Sequence, residues 1–397
     1  MKNFRYDVCV AGGAGHVGLP LSIALADKGL DVVIYDINRD ALELINDGKM
    51  PFRDEGADEK LASVIGNRLH TTTEPDCIKD SRILTVIIGT PVDEHLNPNF
   101  RVTRKFFDRI MPYMHNEQVV ILRSTLYPGT TKKINTYLKE AYPGINVCFC
   151  PERIAEGKAM TELYTLPQIV SGFDPGAVKS AAGLFNLLTN DVIITNPLEA
   201  ELAKLFSNSW RYIQFATANQ FYMIAEEYGA DFYEVYNAMT YNYPRNRNFP
   251  KPGFAAGPCL FKDTMQISAF ANNKFFLGHS AMLVNEGMPN FIIGMIKKDY
   301  DLSIMTAAVL GMAFKADSDD PRESLSFKLR KLLEIEAKSV ICSDEYIEAS
   351  DFLPAEQCIE KADIIIIGAP HKKYKQMDYM NKPVIDIWDF VETVISR

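Results

Sequence analysis

The stretch Val8-Cys-Val-Ala-Gly-Gly-Ala-Gly-His-Val-Gly-Leu-Pro20 decides how the rest of the chain is read. It passes from an apolar run into the turn Gly13-Ala-Gly15-His-Val-Gly18 and then into a helical pattern. Strand, glycine turn and helix in that order present backbone N–H groups and a partial positive charge to a phosphate. In this setting Gly13 makes the tight turn, Gly15 admits a pyrophosphate, and Gly18 lets helix and strand pack closely. Asp36 closes the next apolar run, eighteen residues after Gly18. A carboxylate there accepts bonds from a ribose 2′-hydroxyl and repels a 2′-phosphate, which favours NAD over NADP. Arg39 close by leaves a smaller place for NADP. A glycine turn that binds nothing is the competing reading, and the strand, helix and acid in register weigh against it.

Outward from this motif, residues 6–11, 31–35, 83–88, 118–122 and 146–149 read as buried strands. Helical stretches separate them, such as an amphipathic segment over 19–29 that ends in glycine. Such alternation predicts a parallel, doubly wound sheet. Residues 198–227 then carry apolar positions at helical spacing with no glycine or proline, which suits a long helix that buries one face in a dimer. Strand signals return at 303–310, 339–342, 363–367 and 384–387. The expected fold is therefore α/β: two Rossmann-like doubly wound parallel-sheet domains joined by a long-helix central dimerisation region. The divisions fall at 1–196, 197–300 and 301–397.

A chain of 397 residues exceeds what one hydrophobic core serves, in keeping with that division. The net charge of −9 argues against a nucleic-acid partner, which needs a basic face. No apolar window approaches the ~18 residues of a membrane span, and residues 1–6 lack the pattern of a signal peptide. The expectation is a cytoplasmic protein with no membrane partner. Seven cysteines form an odd set without a CxxC pair, so neither a disulfide framework nor a zinc site is signalled and no metal is expected. Most should be inert, buried, small apolar residues. Cys259 differs in setting: it lies in Pro252-Gly-Phe-Ala-Ala-Gly-Pro-Cys-Leu-Phe-Lys-Asp263, a Gly/Pro-rich loop feeding a helix. A helix N-terminus and Lys262 would both favour a thiolate there.

Several segments together resemble the UDP-glucose / GDP-mannose dehydrogenase family. They are Gly-His-Val-Gly-Leu-Pro20, Ile88-Gly-Thr-Pro91, Ser124-Thr-Leu-Tyr-Pro-Gly-Thr-Thr131 and Pro151-Glu-Arg-Ile-Ala-Glu-Gly157. Glu201-Leu-Ala-Lys204 with Asn208, Cys259-Leu-Phe-Lys-Asp263, and Gly311-Met-Ala-Phe-Lys315 with Asp320-Pro-Arg-Glu-Ser324 complete the set. The resemblance implies a four-electron oxidation of a nucleotide sugar at C6 through a thiohemiacetal and thioester on Cys259, with NAD as cofactor. It places Lys204 and Asn208, one helical turn apart, beside the developing oxyanion. It makes Asp263 and Glu156 the carboxylates that position or activate water, with Thr125 assisting. Gly13, Gly15, Val17, Gly18, Asp36, Thr90, Thr125, Lys262 and Arg322 would meet NAD. Glu152, Lys204, Asn208, Gly257 and Lys315 would meet the sugar nucleotide. The competing explanations are a solvated helix face for Lys204 and Asn208, a helix cap for Glu152, and structural salt bridges for Lys262, Lys315 and Arg322.

The chain departs from the family pattern where Ala255-Ala256-Gly257-Pro258 replaces a Gly-Gly pair before the cysteine, and where Asn219-Gln220 replaces an Asn-Glu. Asp344-Glu345 stands where an Asp-Pro is usual. Members acting on UDP-N-acetylhexosamines tend to carry His before the cysteine and Val before the aspartate; Pro258 and Lys262 here look more like the UDP-glucose or GDP-mannose branch. UDP-glucose is therefore the first expectation for substrate, with UDP-N-acetylglucosamine, UDP-N-acetylmannosamine or GDP-mannose as alternatives. Two more distant readings are a two-electron β-hydroxyacid dehydrogenase and a non-catalytic NAD-binding protein. The C-terminal α/β segment argues against the first, and the set Lys204, Asn208, Cys259 and Asp263 against the second.

Overall fold

The structure, a computed structural model, describes residues 4–89, 100–254 and 257–392. The chain divides into two compact units, Met1–Phe206 and Ser207–Arg397.

The first unit is built on eight strands: β1 (Tyr6–Ala11), β2 (Val32–Tyr35), β3 (Leu69–Thr72), β4 (Ser81–Val86), β5 (Val119–Leu122), β6 (Asn146–Phe149), β7 (Gln168–Gly172) and β8 (Val192–Thr195). They are ordered β3-β2-β1-β4-β5-β6-β7-β8. The central strands are β-branched runs buried on both faces, as helices on both sides of a sheet require. Val8 of β1 is flanked by Val32 of β2 and Ile83 of β4, which sets the register. Val10, Leu21, Leu25, Ile34 and Ile121 belong to the core beneath.

The sheet differs from the expectation in one respect: β7 runs antiparallel to β6, while all other pairs are parallel. A strand antiparallel to its predecessor begins at the edge where that predecessor ended. The whole segment between them, residues 150–167, therefore stays at the carboxyl end of the sheet, where ligands of such folds bind. The helix Gly18–Asp27 also differs, because it is not amphipathic: Gly18 through Ala26 are all buried. It is covered by the helices Ala57–Val64 and Ala159–Thr165 on the side away from the sheet.

The second unit carries β9 (Thr306–Leu310), β10 (Ser339–Ser343), β11 (Ile364–Ile367) and β12 (Val384–Ile385), all parallel in the order β10-β9-β11-β12. Met288, Ile292 and Ile296 of the helix Phe276–Asp299 join Val309, Leu329, Ile364 and Ile366 in its core. The helix Pro197–Glu227 begins in the first unit and ends in the second. Among the described residues no helix is long and apolar enough to cross a membrane.

Candidate active site

In the first sheet the chain leaves β1 towards β2 and β3, then returns to place β4 on the other side of β1. The loops after β1 and β4 therefore flank the crevice where strand order reverses. Gly12, which the sequence reading did not single out, opens the first of these loops with φ +77°; a Cβ on it would sit 2.0 Å from the Ile87 carbonyl oxygen. The doublet Gly12-Gly13 was the only available signal for it. A Cβ on Gly13 would meet the Val10 oxygen at 2.8 Å, and one on Gly18 would meet the Gly12 oxygen at 2.5 Å. Gly15 is the exception, since nothing lies within 4 Å of its added Cβ. Three glycines thus permit close backbone packing, and the fourth keeps an exposed space clear.

The helix that follows, Gly18–Asp27, has Val17 at its N-cap position with no side-chain cap bond and no acid in its first turn. Its leading N–H groups and dipole are suited to an anion. Half-buried Asp36 accepts from the Ala14 N–H at 2.9 Å through Oδ2 and from the Asn38 N–H at 3.0 Å through Oδ1. One carboxylate thereby ties the end of β2 to the glycine loop and stays beside it. These residues fit a dinucleotide: a cleared space, a helix terminus for phosphate, and an acid for a ribose hydroxyl. Thr90 lies outside the described residues.

Further along the carboxyl edge, Glu152 is buried and paired with fully buried Arg123. The other Glu152 oxygen accepts from the Arg153 and Ile154 N–H groups at 2.7 and 3.1 Å. Arg123 also donates to the Cys150 carbonyl and to Gln168 Oε1, each at 3.2 Å, and lies over the Phe185 ring. Both oxygens of Glu152 are thus engaged inside the unit, and Arg123 is a brace that the sequence reading missed. The turn holding half-buried Glu156 is anchored through Asp54, whose carboxylate accepts from the Ala159 and Met160 N–H groups, each at 3.0 Å. Burial pushes Asp54 above the ordinary carboxylate range despite those bonds. Thr125 is half-buried in the loop after β5. That loop is held by buried Glu201, whose carboxylate accepts from the Gly129 N–H and from both the N–H and the hydroxyl of Thr131.

The second unit holds the cysteine. All cysteines but one are buried, and Cys259 is the exposed one. Burial pushes Cys150 and Cys342 up to about 12 and Cys358 up to about 11. Cys9 is raised by its hydrogen bond with Cys77 and then by burial. A thiol so raised is inert at neutral pH. Cys259 instead occupies the first turn of the helix Gly257–Phe270, at the positive end of its dipole. One turn on, Asp263 is fully buried and accepts from the Asn208 side-chain amide at 2.6 Å. Asn208 and Asp263, widely separated in sequence, are therefore brought together. Lys204 and Lys262 are both half-buried.

The loop before Cys259 is braced by groups the sequence reading did not weigh for this role. Fully buried Asn219 accepts from the Gly253 N–H at 2.8 Å and donates to the Gly253 carbonyl at 3.1 Å, closing a two-point clamp. Its amide also donates to Asn285 Oδ1 at 2.9 Å. A Cβ on Gly253 would strike the Trp388 ring at 2.0 Å, and one on Gly257 would strike Phe314 at 2.7 Å.

In the second sheet β9 has β10 on one side and β11 on the other, so its order also reverses at β9. Gly311 follows β9 with φ +92°, and its Cβ would lie 2.3 Å from the Ala369 carbonyl oxygen. Asp344, immediately after β10, accepts from the Met312 and Ala313 N–H groups at 2.6 and 2.9 Å through Oδ2. Through Oδ1 it accepts from the Tyr346 and Ile347 N–H groups at 2.8 and 3.0 Å. His371 Nε2 lies 3.0 Å from Asp344 Oδ2, both side chains being fully buried. Burial alone would raise Asp344, but the bond to His371 and the backbone donors outweigh it and hold the carboxyl below its ordinary value. Half-buried Lys315 lies over the Phe314 ring in the same loop. Arg322 is turned onto Asp320, donating through Nε at 2.8 and 3.0 Å and through Nη2 at 2.6 Å. Among the described residues no group of His, Cys, Asp and Glu could hold a metal ion.

A cleared glycine cradle, an exposed cysteine at a helix terminus and two switch-point crevices define an NAD-dependent dehydrogenase of the two-sheet kind. Comparison with known proteins gives the same answer. The NAD binding domain of the UDP-glucose/GDP-mannose dehydrogenase family matches residues 6–187, its central domain 198–286, and its UDP binding domain 308–393. The chain belongs to the UDP-glucose/GDP-mannose dehydrogenase family, and it is an NAD-dependent oxidoreductase acting on a nucleotide sugar. It is 30% identical over 381 residues to a UDP-N-acetyl-D-mannosamine dehydrogenase of Pyrococcus horikoshii, covering 92% of this chain and 90% of that protein. A protein of the same designation from Methanocaldococcus jannaschii is also 30% identical, over 94% of this chain and 87% of its own length. Among solved structures, a UDP-D-ManNAc dehydrogenase from P. horikoshii superposes with a TM-score of 0.90 at 28% identity, covering 98% of this chain and 97% of that one.

Proposed function

We propose that the chain oxidises the C6 hydroxyl of a UDP-N-acetylhexosamine, with UDP-N-acetylmannosamine the first candidate, to the carboxylate with two NADH formed per sugar. One observation carries the chemistry: Cys259 alone among the cysteines is exposed, in the first turn of a helix that also carries buried Asp263. NAD, when bound, accepts the hydride in each oxidation. An aldehyde carbon has no hydride-donating tetrahedral form until a nucleophile adds to it, and the Cys259 thiolate supplies that bond. Loss of hydride from the thiohemiacetal gives a thioester on the same sulfur, and water then cleaves it to the uronate and the free thiol. Lys204 and Asn208 stabilise the oxyanions of these steps, the one by charge and the other by an amide N–H. Asp263 and Glu156, with the Thr125 hydroxyl, hold the water that releases the product.

In this reading the cofactor is held by Gly13, Gly15, Val17, Gly18 and Asp36, with Thr90, Thr125, Lys262 and Arg322 completing its contacts. Gly257 and Lys315 bind the sugar nucleotide. Glu152 acts through the loop it braces, because both its oxygens are engaged within its unit. The functional division is an NAD-binding domain over 1–196, a central domain over 197–300 and a nucleotide-sugar domain over 301–397. A second copy of the chain is the partner proposed for the long helix, where Trp210, Phe221 and Ile224 form an exposed stripe at helical spacing.

The designations of the relatives at 30% identity support the N-acetylmannosamine reading. Pro258 and Lys262 beside the cysteine support UDP-glucose as the second reading. The test is to incubate the protein with NAD and, separately, UDP-N-acetylmannosamine, UDP-N-acetylglucosamine, UDP-glucose and GDP-mannose, and to count NADH per sugar consumed. Two NADH from UDP-N-acetylmannosamine, abolished in Cys259→Ser or reduced to one turnover, is the expected result. Two NADH from UDP-glucose alone would move the substrate to the second reading. One NADH with a free aldehyde would remove the thioester chemistry.

A further inference from the structure

The nucleotide-sugar reading leaves unexplained why the second unit buries an ionisable pair, His371 and Asp344, at the carboxyl end of its sheet. Burying two such groups is costly unless every lone pair and proton is used. Here they are used almost entirely on loop backbone. Asp344 receives four N–H groups, two from the loop after β9 and two from the loop after β10. His371, in the loop after β11, accepts from the Asp317 N–H at 2.8 Å through Nδ1. That acceptor role leaves the ring proton on Nε2, facing Asp344. Asp317 returns the contact: its Oδ1 accepts from the Lys372 N–H at 3.0 Å, and its φ of +55° lies in the left-handed region that aspartate tolerates better than most residues. One buried pair thus joins the loops after three adjacent strands.

The loop it holds most closely is the one that carries Lys315. Met312, Ala313 and Asp317, whose N–H groups end on Asp344 or His371, bracket that lysine on both sides. This loop and the one after β11 flank the crevice where strand order reverses in the second sheet, which is where a ligand of such a sheet docks. We propose that His371 and Asp344 are positioning residues for the nucleotide of the substrate. They fix the backbone on either side of Lys315 so that the crevice is preformed before the ligand arrives, and they make no contact with the ligand themselves. The inference rests on the reading of this unit as the nucleotide-sugar domain.

The experiment compares the full-length wild type with His371→Ala and His371→Gln, the second keeping a side-chain N–H for Asp344. UDP alone is titrated by calorimetry, and kcat and KM are measured for the nucleotide sugar and for NAD. His371→Ala should weaken UDP and raise the sugar-nucleotide KM by roughly 10- to 100-fold, the span set by a lost buried bond to a charged group. Both kcat and the KM for NAD should stay within about twofold, because the pair's bonds end on loop backbone of the second unit. His371→Gln should recover part of the loss. Hydrogen exchange at the Met312, Ala313 and Asp317 amides should quicken in the same order. If His371→Ala fails to fold, the Gln variant carries the comparison against wild type. Unchanged UDP affinity in a variant whose melting temperature has dropped would make the pair merely structural and overturn the proposal, as would an equal loss of NAD affinity. A wild type that binds no UDP would instead sink the nucleotide-sugar reading on which the proposal stands.

Discussion

Gly15 and Gly18 are three residues apart in one motif, yet alanine at each should fail for opposite reasons. A Cβ on Gly18 would stand 2.5 Å from the Gly12 oxygen and 2.6 Å from the Gly13 Cα, both backbone atoms that cannot rotate away. Overpacking of this kind costs about 1–3 kcal/mol. In a folded unit of roughly 200 residues each kcal/mol lowers the melting temperature by about 2–4 °C, so Gly18→Ala should melt about 2–12 °C below wild type. Gly15 has nothing within 4 Å of its added Cβ and does not have a left-handed φ. Gly15→Ala should therefore melt with wild type or slightly above it, since the unfolded chain loses freedom worth about 0.4–1 kcal/mol. Its defect should be in the cofactor. The new methyl projects into the space that the glycine keeps clear, and a KM for NAD raised at least about tenfold corresponds to 1.4 kcal/mol of lost contact. Differential scanning calorimetry and NAD titration at a saturating nucleotide sugar read the two effects separately. If Gly15→Ala melts as low as Gly18→Ala, or binds NAD like wild type, the assignment of the open space to a pyrophosphate is wrong.

The thiol pattern is equally direct. Brief iodoacetamide treatment near pH 7.5 should modify Cys259 alone, as read by peptide mass spectrometry, because the others are buried; early labelling at Cys150 or Cys358 would contradict the structure. Gly253→Ala would drive a Cβ to 2.0 Å from the Trp388 ring, and Asn219→Ala would remove both ends of the clamp on Gly253. Each should lower turnover by disturbing the loop before Cys259 while the KM for NAD stays near wild type, and an Asn219→Ala enzyme with full turnover would dismiss the clamp. The folded pKa of Asp344 is depressed, so its contribution to stability is complete above the unfolded value of about 3.9 and disappears as pH falls through the folded value. Melting temperatures between pH 3 and 7 should thus fall steeply below about pH 4 in wild type. Asp344→Asn should be less stable at neutral pH but decline less on acidification, and parallel curves would exclude Asp344 as the source.

What was legible in the sequence followed from local chemistry. The runs at β1, β2, β4 and β5 are apolar and β-branched because helices cover both faces of the sheet, and such strands announce themselves. β3 reads Leu-His-Thr-Thr at one edge of the sheet and carries no buried-strand signature. β8 at the other edge reads Val-Ile-Ile-Thr, an apolar run that the sequence reading passed over, and it leaves Ile193 and Ile194 exposed. The direction of β7 depends on where residues 150–167 go, which is not a local property. The helix Gly18–Asp27 was misread for a related reason: two further helices close over its outer side, and no window of sequence contains them. Cys259 could be picked out by its glycine- and proline-rich setting, whereas Arg123, Asn219 and His371 could not, because a buried brace is defined by partners far away in the chain.

The two sheets also repeat one device, and the differences between the copies explain why they take different ligands. Gly12 and Gly311 each follow the first strand of their sheet with positive φ and abut backbone that follows the strand across the switch point. Asp36 and Asp344 each follow the second strand, and each accepts from the third residue of the glycine loop, Ala14 in one case and Ala313 in the other. In the first copy the acid is half-buried and its remaining bond in the turn is to the Asn38 N–H. It keeps lone pairs at the crevice for a ribose hydroxyl. In the second copy the acid's capacity is taken by four backbone N–H groups and His371. A carboxylate so committed cannot read a ribose. In the proposed assignment recognition there passes to groups the acid holds in place, Lys315 foremost, and a cation is better matched to a sugar diphosphate than an acid would be. If this division is right, Asp36→Asn should weaken NAD and leave UDP binding untouched, whereas Lys315→Ala should do the reverse. Titration of each ligand against each variant decides it, and a variant that weakens both ligands equally would show that the two crevices are not separate in function.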